Sequence, residues 1–247
     1  MNVNNYLDRF NATHLKTKSL KHLTELQFLH MTEVPFENLD VIRRKPIYLN
    51  LNLIYEKIVH RHRGGYCYEL NGLFHWLLNE LGYDASLVAA TVLRPNGQWA
   101  KPDTHAAIIV QLEQPYLVDV GFGDSTVLPI PLNSESQTDP SGTYFTKQSE
   151  TGYFDLMRSR NGETRPLYRF TTSPKQLVDF HEGCVFNQVS PDSTFTHVDI
   201  ITKATPAGRI TLRDQELTII ENGKKTTKML SSSEKEEYFV NAFAIEF

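Results

Sequence analysis

The apolar residues of this chain change their spacing near residue 83, and that change limits what each side of it can become. Before it, Leu20, Leu23, Leu26, Phe28, Leu29 and Met31 recur at helical intervals after Ser19, and Pro35 closes the stripe. A second helix is predicted over about 51–60, and a third through Leu70, Leu73, Phe74, Leu77 and Leu81, stopped at Gly82. Residues up to about 83 therefore read as a small helical bundle. Beyond them, residues 85–93 are β-prone, and 105–112 and 116–122 flank Glu113-Gln114-Pro115 as a hairpin.

The stretch 128–142, rich in Pro, Ser and Asp, reads as a connecting loop. Strand-like runs follow at 143–149 and 153–159, with turn signals at Thr151-Gly152 and Asn161-Gly162. Ser173-Pro174 has the chemistry of a helix start. Runs 195–202, 209–213 and 216–221 read as strands with a turn at Asn222-Gly223, and Ser233-Glu234-Lys235-Glu236 reads as the capping box of a last helix. With 247 residues and 40% hydrophobic composition, such a chain can bury a substantial core.

Charge narrows the partners. A net charge of −4 and a pI near 6.1, with no basic run longer than Arg61-His62-Arg63, argue against nucleic acid and against a membrane surface. There is no apolar run of transmembrane length and no signal-peptide pattern, so a cytoplasmic location is expected. The two cysteines, Cys67 and Cys184, fit free thiols in a reducing compartment better than a disulfide framework.

Chemistry concentrates at Arg63-Gly64-Gly65-Tyr66-Cys67-Tyr68-Glu69-Leu70-Asn71, where a glycine turn delivers one cysteine into the first turn of the third helix. Unpaired N–H groups and the helix dipole favour a thiolate there, with Arg61 or Arg63 adding to the effect. The alternative is an inert core cysteine, but Tyr66, Tyr68, Glu69 and Asn71 crowd more polar groups around the thiol than a core position requires. A nucleophile of this kind needs a base and a group to orient it. His105 and Asp119 are the candidates, Asp119 because a carboxylate flanked by valines is costly without a partner. A two-residue turn would not set these side chains directly opposite, so a triad requires a bulge, a twist or a longer loop. His60 and His62 lack the carboxylates or cysteines that would complete a metal site. His181 with Cys184 lacks turn glycines and a third group.

These residues resemble the arylamine N-acetyltransferases. The segment 63–71 is similar to the family's R-G-G-x-C-x-E-x-N motif. Thr104-His105 and Val118-Asp119-Val120-Gly121-Phe122-Gly123 resemble its triad segments, and Pro35-Phe36-Glu37-Asn38 and Ser190-Pro191-x-Ser193-x-Phe195 resemble further signatures. Residues 94–103 depart from the family pattern. The resemblance implies an α+β fold: an N-terminal helical bundle (1–83), a central antiparallel β-barrel (84–189) and a C-terminal α/β lid (190–247). It implies catalytic Cys67, His105 and Asp119, a supporting Glu37–Arg63 ion pair, and Phe36, Phe122 and Phe195 near the acceptor. It further implies acetyl-CoA as donor substrate, no metal, and a small arylamine or hydrazine as acceptor, acetylated by a ping-pong route through acetyl-Cys67. The same Cys, His, Asp order also serves thiol hydrolases and transglutaminase-like acyl transferases, and a silent binding module would keep the scaffold without the reactive thiol.

Overall fold

The computed structural model describes residues 1–149 and 152–245, so the turn expected at Thr151-Gly152 lies partly outside the described residues. Side-chain caps set the first helices. Asn2 accepts from the Asn5 N–H to open α1 (Val3–Arg9), and Ser19 accepts from the His22 N–H to open α2 (Leu20–Glu33). Periodicity missed α1, which is too short to show a stripe. After Pro35 the chain makes β1 (Phe36–Glu37) and α3 (Leu39–Ile42). The helix expected over 51–60 changes winding midway: Asn50 caps α4 (Leu51–Tyr55), which runs into a π-helical turn, Glu56–His60. The third helix is α5 (Cys67–Glu80), with Leu70, Leu73, Phe74 and Leu77 fully buried.

Eight antiparallel strands follow: β2 (Asp84–Val92), β3 (His105–Gln111), β4 (Pro115–Val118), β5 (Ile130–Pro131), β6 (Gln137–Asp139), β7 (Gly142–Gln148), β8 (Phe154–Arg160) and β9 (Glu163–Phe170). Their order is β5-β4-β3-β2-β9-β8-β7-β6. The Thr146 hydroxyl of β7 donates to the Pro131 carbonyl of β5 at 2.9 Å, so the sheet curls back into a nearly closed barrel. Val88, Ala90, Leu117, Tyr144, Leu156 and Phe170 pack within it.

Several expectations need correction here. The second hairpin strand ends at Val118 rather than 122, because the chain turns at Asp119 to hydrogen-bond with α5. The 128–142 loop contains β5 and β6, strands too short to show a pattern. Strand β9 was not anticipated. It carries Pro166, tolerated at a register shift opposite Leu156 and Met157 and outside the three-residue pairing with β2.

Ser173-Pro174 does not open a helix. The Lys175 N–H donates to the Leu87 carbonyl at 2.8 Å, which holds the chain extended until Gln176 and Asp179 cap a 3₁₀ turn (Leu177–Phe180) leading into α6 (His181–Val189). The 195–202 run splits into a 3₁₀ turn (Thr194–Thr196) and the start of β10 (Ile200–Thr205). Then come β11 (Gly208–Arg213), β12 (Glu216–Glu221), β13 (Lys224–Met229) and α7 (Ser232–Asn241), whose capping box is Ser231 with Glu234, two residues earlier than expected. The exposed, Lys-rich β13 has no apolar face to announce it, and its lysines protect a sheet edge.

The second sheet has the order β1-β10-β11-β12-β13, so a strand from the helical part is stitched to the C-terminal part. Asn38 reinforces the seam. Its amide donates to the Phe195 and Val198 carbonyls at 2.9 and 2.8 Å and accepts from the Ile200 N–H at 2.7 Å. That seam carries Phe36 and Phe195 to the same place. Among the described residues, no helix is long and apolar enough to cross a membrane.

Candidate active site

The glycines before Cys67 serve close approach. Neither has a positive φ, so their value here lies in lacking a Cβ. A Cβ on Gly64 would overlap the Pro35 carbonyl, and one on Gly65 would lie 2.8 Å from Glu69 Oε2. Glu69 turns back to accept from the Tyr66 N–H at 3.1 Å, capping α5 where Cys67 begins it. Lys57 holds that carboxylate at 2.9 and 3.2 Å and also meets Asp40 at 2.8 Å and Glu37 at 3.6 Å. Arg63 completes the cluster on Glu37 (2.7 and 3.1 Å) and Asp40 (3.2 Å). The Glu37–Arg63 pair is thus present, within a network whose Lys57 was not anticipated; a lysine on a polar helical turn carries no distinguishing sequence signal.

Cys67 is 2% exposed. Burial pushes its thiol above the ordinary range, with the Asp119 charge adding to the rise, while the Ala106 and Tyr68 N–H groups favour the thiolate. The arginine help expected there is absent from the geometry. Arg63 is engaged with Glu37 and Asp40, and exposed Arg61 faces Glu56 at 3.5 Å. The thiol needs an imidazole to take its proton.

His105, at the start of β3, supplies one beside Asp119. The pairing of Ile108 with Val118, continued past β4, would set Asp119 opposite Ala107 and Gly121 opposite His105. Leaving the ladder at Asp119 removes that mismatch, and His105 Nε2 lies 2.7 Å from Asp119 Oδ2. Asp119 also accepts from Tyr168 (2.9 Å), Asn71 (2.9 Å) and the Gly121 N–H (2.8 Å). Burial alone would raise its carboxyl, but the His105 ring with the Asn71 and Gly121 donors holds it below its ordinary value. As a carboxylate it accepts only, so the hydrogen bond places a proton on Nε2 and leaves Nδ1 as the ring nitrogen not engaged by Asp119.

Asn71 joins the pieces. Its amide donates to the Ala106 carbonyl at 2.6 Å and accepts from the Val120 N–H at 2.9 Å, which ties α5 to β3 and to the turn after β4. Gly121 makes this possible, since a Cβ there would lie 2.7 Å from both Cys67 Cα and Asn71 Nδ2. Asn71 was visible only as part of a motif, and Tyr168 was hidden with its strand.

Cys67 and His105 line one cavity of about 170 Å³, and Phe36, Phe122 and Phe195 form aromatic wall around them. Phe122 meets the His105 ring edge-on at 5.3 Å, and Phe36 packs against Phe195 at 6.0 Å. Cys184 stands apart from His181: its sulfur lies 2.8 Å from the Tyr66 hydroxyl, while His181 is exposed. His60 packs edge-on against Tyr55, and among the described residues no group of three or more candidate ligands would hold a metal.

An antiparallel barrel joined to a helical bundle and a second sheet, with a thiol, an imidazole and a carboxylate gathered at their junction, defines an α+β acyl-transfer type of protein. The N-acetyltransferase family profile matches residues 19–247. The arylamine N-acetyltransferase of Escherichia coli (strain K12) is 33% identical over 225 residues, covering 90% of this chain and 80% of that protein. The pineal gland isozyme of Gallus gallus is 34% identical over 230 residues, 84% and 79% respectively. The structure of an arylamine N-acetyltransferase from Bacillus cereus, described as having a Cys-His-Glu catalytic triad, superposes with a TM-score of 0.92 at 26% identity over 99% of this chain and 98% of that one. The chain belongs to the arylamine N-acetyltransferase family and is an acetyltransferase.

Proposed function

We propose that this enzyme moves an acetyl group from acetyl-CoA to a single-ring arylamine or arylhydrazine through an acetyl-Cys67 intermediate. One observation carries the reading: Cys67 shares a cavity with His105, whose Nε2 is bound to the buried Asp119 at 2.7 Å. His105 Nδ1 takes the Cys67 proton, and the thiolate attacks the thioester carbon. The C–S bond to CoA breaks, and the CoA sulfur leaves with the proton from the imidazolium. In the second half, the amine attacks acetyl-Cys67 and gives its proton to His105. The new C–S bond breaks, and the proton returns to Cys67. Asp119 orients the ring and stabilises its cationic form throughout.

The cavity's size supports a small aromatic acceptor. An apolar cavity of about 150 Å³ is enough to admit benzene, and Phe36, Phe122 and Phe195 offer π-faces for a ring to pack on. An aniline is largely neutral at pH 7 and nucleophilic, whereas an alkylamine is protonated and lacks a face to stack. In this reading residues 1–83 supply the thiol, 84–189 the base and its carboxylate, and 190–247 the Phe195 wall. The free thiols suit a reducing cytoplasm.

The test is to incubate the enzyme with acetyl-CoA alone, weigh the intact chain and map the adduct, then add acceptors. One acetyl group on Cys67, discharged faster by an aniline or arylhydrazine than by an alkylamine or water, is the expected result. Acetyl on neither cysteine or on Cys184 breaks the mechanism, and discharge to water ahead of any amine makes the protein a hydrolase.

A further inference from the structure

The cavity wall also carries a cation that the acetyl transfer does not use. Arg94 lies on a short hairpin extending β2, within the 94–103 stretch that departs from the family pattern. The Arg94 N–H donates to the Gln98 carbonyl at 2.9 Å, the Gly97 N–H to the Arg94 carbonyl at 3.0 Å, and the Ala100 N–H to the Val92 carbonyl at 2.8 Å. Trp99 clamps its base, with the Arg169 guanidinium 4.0 Å from the ring centroid and held in turn by Asp155 at 3.1 and 3.3 Å. Arg94 therefore projects from a braced support into the cavity that holds Cys67, His105 and Phe122.

Its guanidinium is half-buried and underused. One N–H donates to the Asp192 main-chain carbonyl at 3.2 Å, and among the described residues no carboxylate lies within ion-pair distance. Asp192 lines the same cavity, and among the described residues its carboxylate forms no ion pair. Elsewhere Arg63, Arg158 and Arg169 each sit against an acidic side chain. Five N–H groups in a fixed fork match a carboxylate bidentately, and here the fork belongs to a residue lining a cavity whose walls also include Phe36, Phe122, Phe186 and Phe195.

We propose that Arg94 selects arylamines bearing a ring carboxylate, which lies on the guanidinium while the amine at the far side of the ring faces Cys67. This rests on Cys67 as the acetyl carrier. The phosphates of acetyl-CoA are anions too, so the two half-reactions must be measured separately.

The experiment compares kcat/KM for p-aminobenzoate and for aniline, at saturating acetyl-CoA, in the parent, Arg94→Gln and Arg94→Lys, with Cys67 acetylation followed on its own by intact mass. Taking the ratio between variants cancels the electronic effect of the carboxylate on the amine. The p-aminobenzoate to aniline ratio should fall about tenfold in Arg94→Gln, the scale of losing a hydrogen bond to a charged group at a half-open site. The fall should appear mainly in KM, recover in part in Arg94→Lys, and shrink in the parent as salt is added. An unchanged ratio overturns the proposal, as does a loss shared equally by both acceptors. A loss confined to the acetylation half-reaction would also overturn it and assign Arg94 to the donor's phosphates. No acetyl adduct in the parent breaks the proposed function and this inference together, whereas an adduct with an unchanged ratio breaks this inference alone.

Discussion

Cys67 and Cys184 are equally hidden, each 2% exposed, and burial pushes both thiols up. Their surroundings differ. Cys67 opens α5 with two N–H groups favouring its thiolate and shares a cavity with an imidazole backed by a carboxylate. Cys184 lies inside α6, its sulfur against the Tyr66 hydroxyl and the Gln188 amide. Burial alone therefore does not separate a nucleophile from a packing residue. The separation comes from a base within the same cavity and from what orients that base.

The largest expected break in this comparison is Cys67→Ala, which should abolish acetyl adduct formation and lower turnover by roughly 10⁴-fold or more, the scale on which losing a nucleophile acts. Far-ultraviolet circular dichroism of the variant should match the parent. An adduct that persists in Cys67→Ala, carried on Cys184, would reverse the assignment of the two thiols.

Next in size are Asp119→Asn and His105→Gln, each expected to cost about 10²–10⁴-fold in turnover and to slow iodoacetamide labelling of Cys67 at pH 7. The Asp119 carboxyl is held below its ordinary value, so its contribution to stability is present above the unfolded value of about 4 and is lost as pH falls through the folded one. Thermal melts of Asp119→Asn between pH 5 and pH 3 should therefore show a shallower loss than the parent. Near-native labelling and turnover in either variant would leave Cys67 no better activated than Cys184.

Lys57→Met should lower stability by about 3 kcal/mol, because it strands buried carboxylates that include the Glu69 cap of α5. Denaturant unfolding measures the loss. Adding Glu69→Gln should recover part of it, since the two residues are coupled. Strict additivity of the two losses would mean that Lys57 does not act on the helix start through Glu69.

The smallest effect belongs to the other thiol. Cys184→Ala should retain acetylation of Cys67 and cost about 1 kcal/mol, mostly from leaving the Tyr66 hydroxyl without its sulfur partner. A loss of acetylation comparable to that of Cys67→Ala would show that the two cysteines act together.

The helical third was legible because Leu20 to Leu81 place apolar residues at a spacing that needs no partner to be recognised. The proposed nucleophile was legible because Cys67 follows two glycines at a predicted helix start. Tyr168 was not: its strand contains Pro166, which argues against a strand until the register shift in β8 is seen. Lys57 was not either, since its importance comes from Glu37, Asp40 and Glu69, which lie 12 to 20 residues away in sequence. The balance of effects at Cys67 was hidden for a related reason. Helix position favours the anion, but the degree of burial, which opposes it, is not written in a local motif.

By itself the sequence determined the local events: caps, turn glycines, the start of α5, the β-prone runs, and which residue types were available for acyl transfer. Tertiary structure decided the rest. It turned the chain out of β4 at Asp119 and set Asn71 across α5, β3 and that turn. It also carried Phe36 and Phe195 together through β1 and Asn38. Local signals reflect backbone preference and spacing within a few residues. A buried charge, a cavity and a hydrogen bond between distant segments exist only once the folded chain excludes water, which fixes their cost and makes their geometry matter.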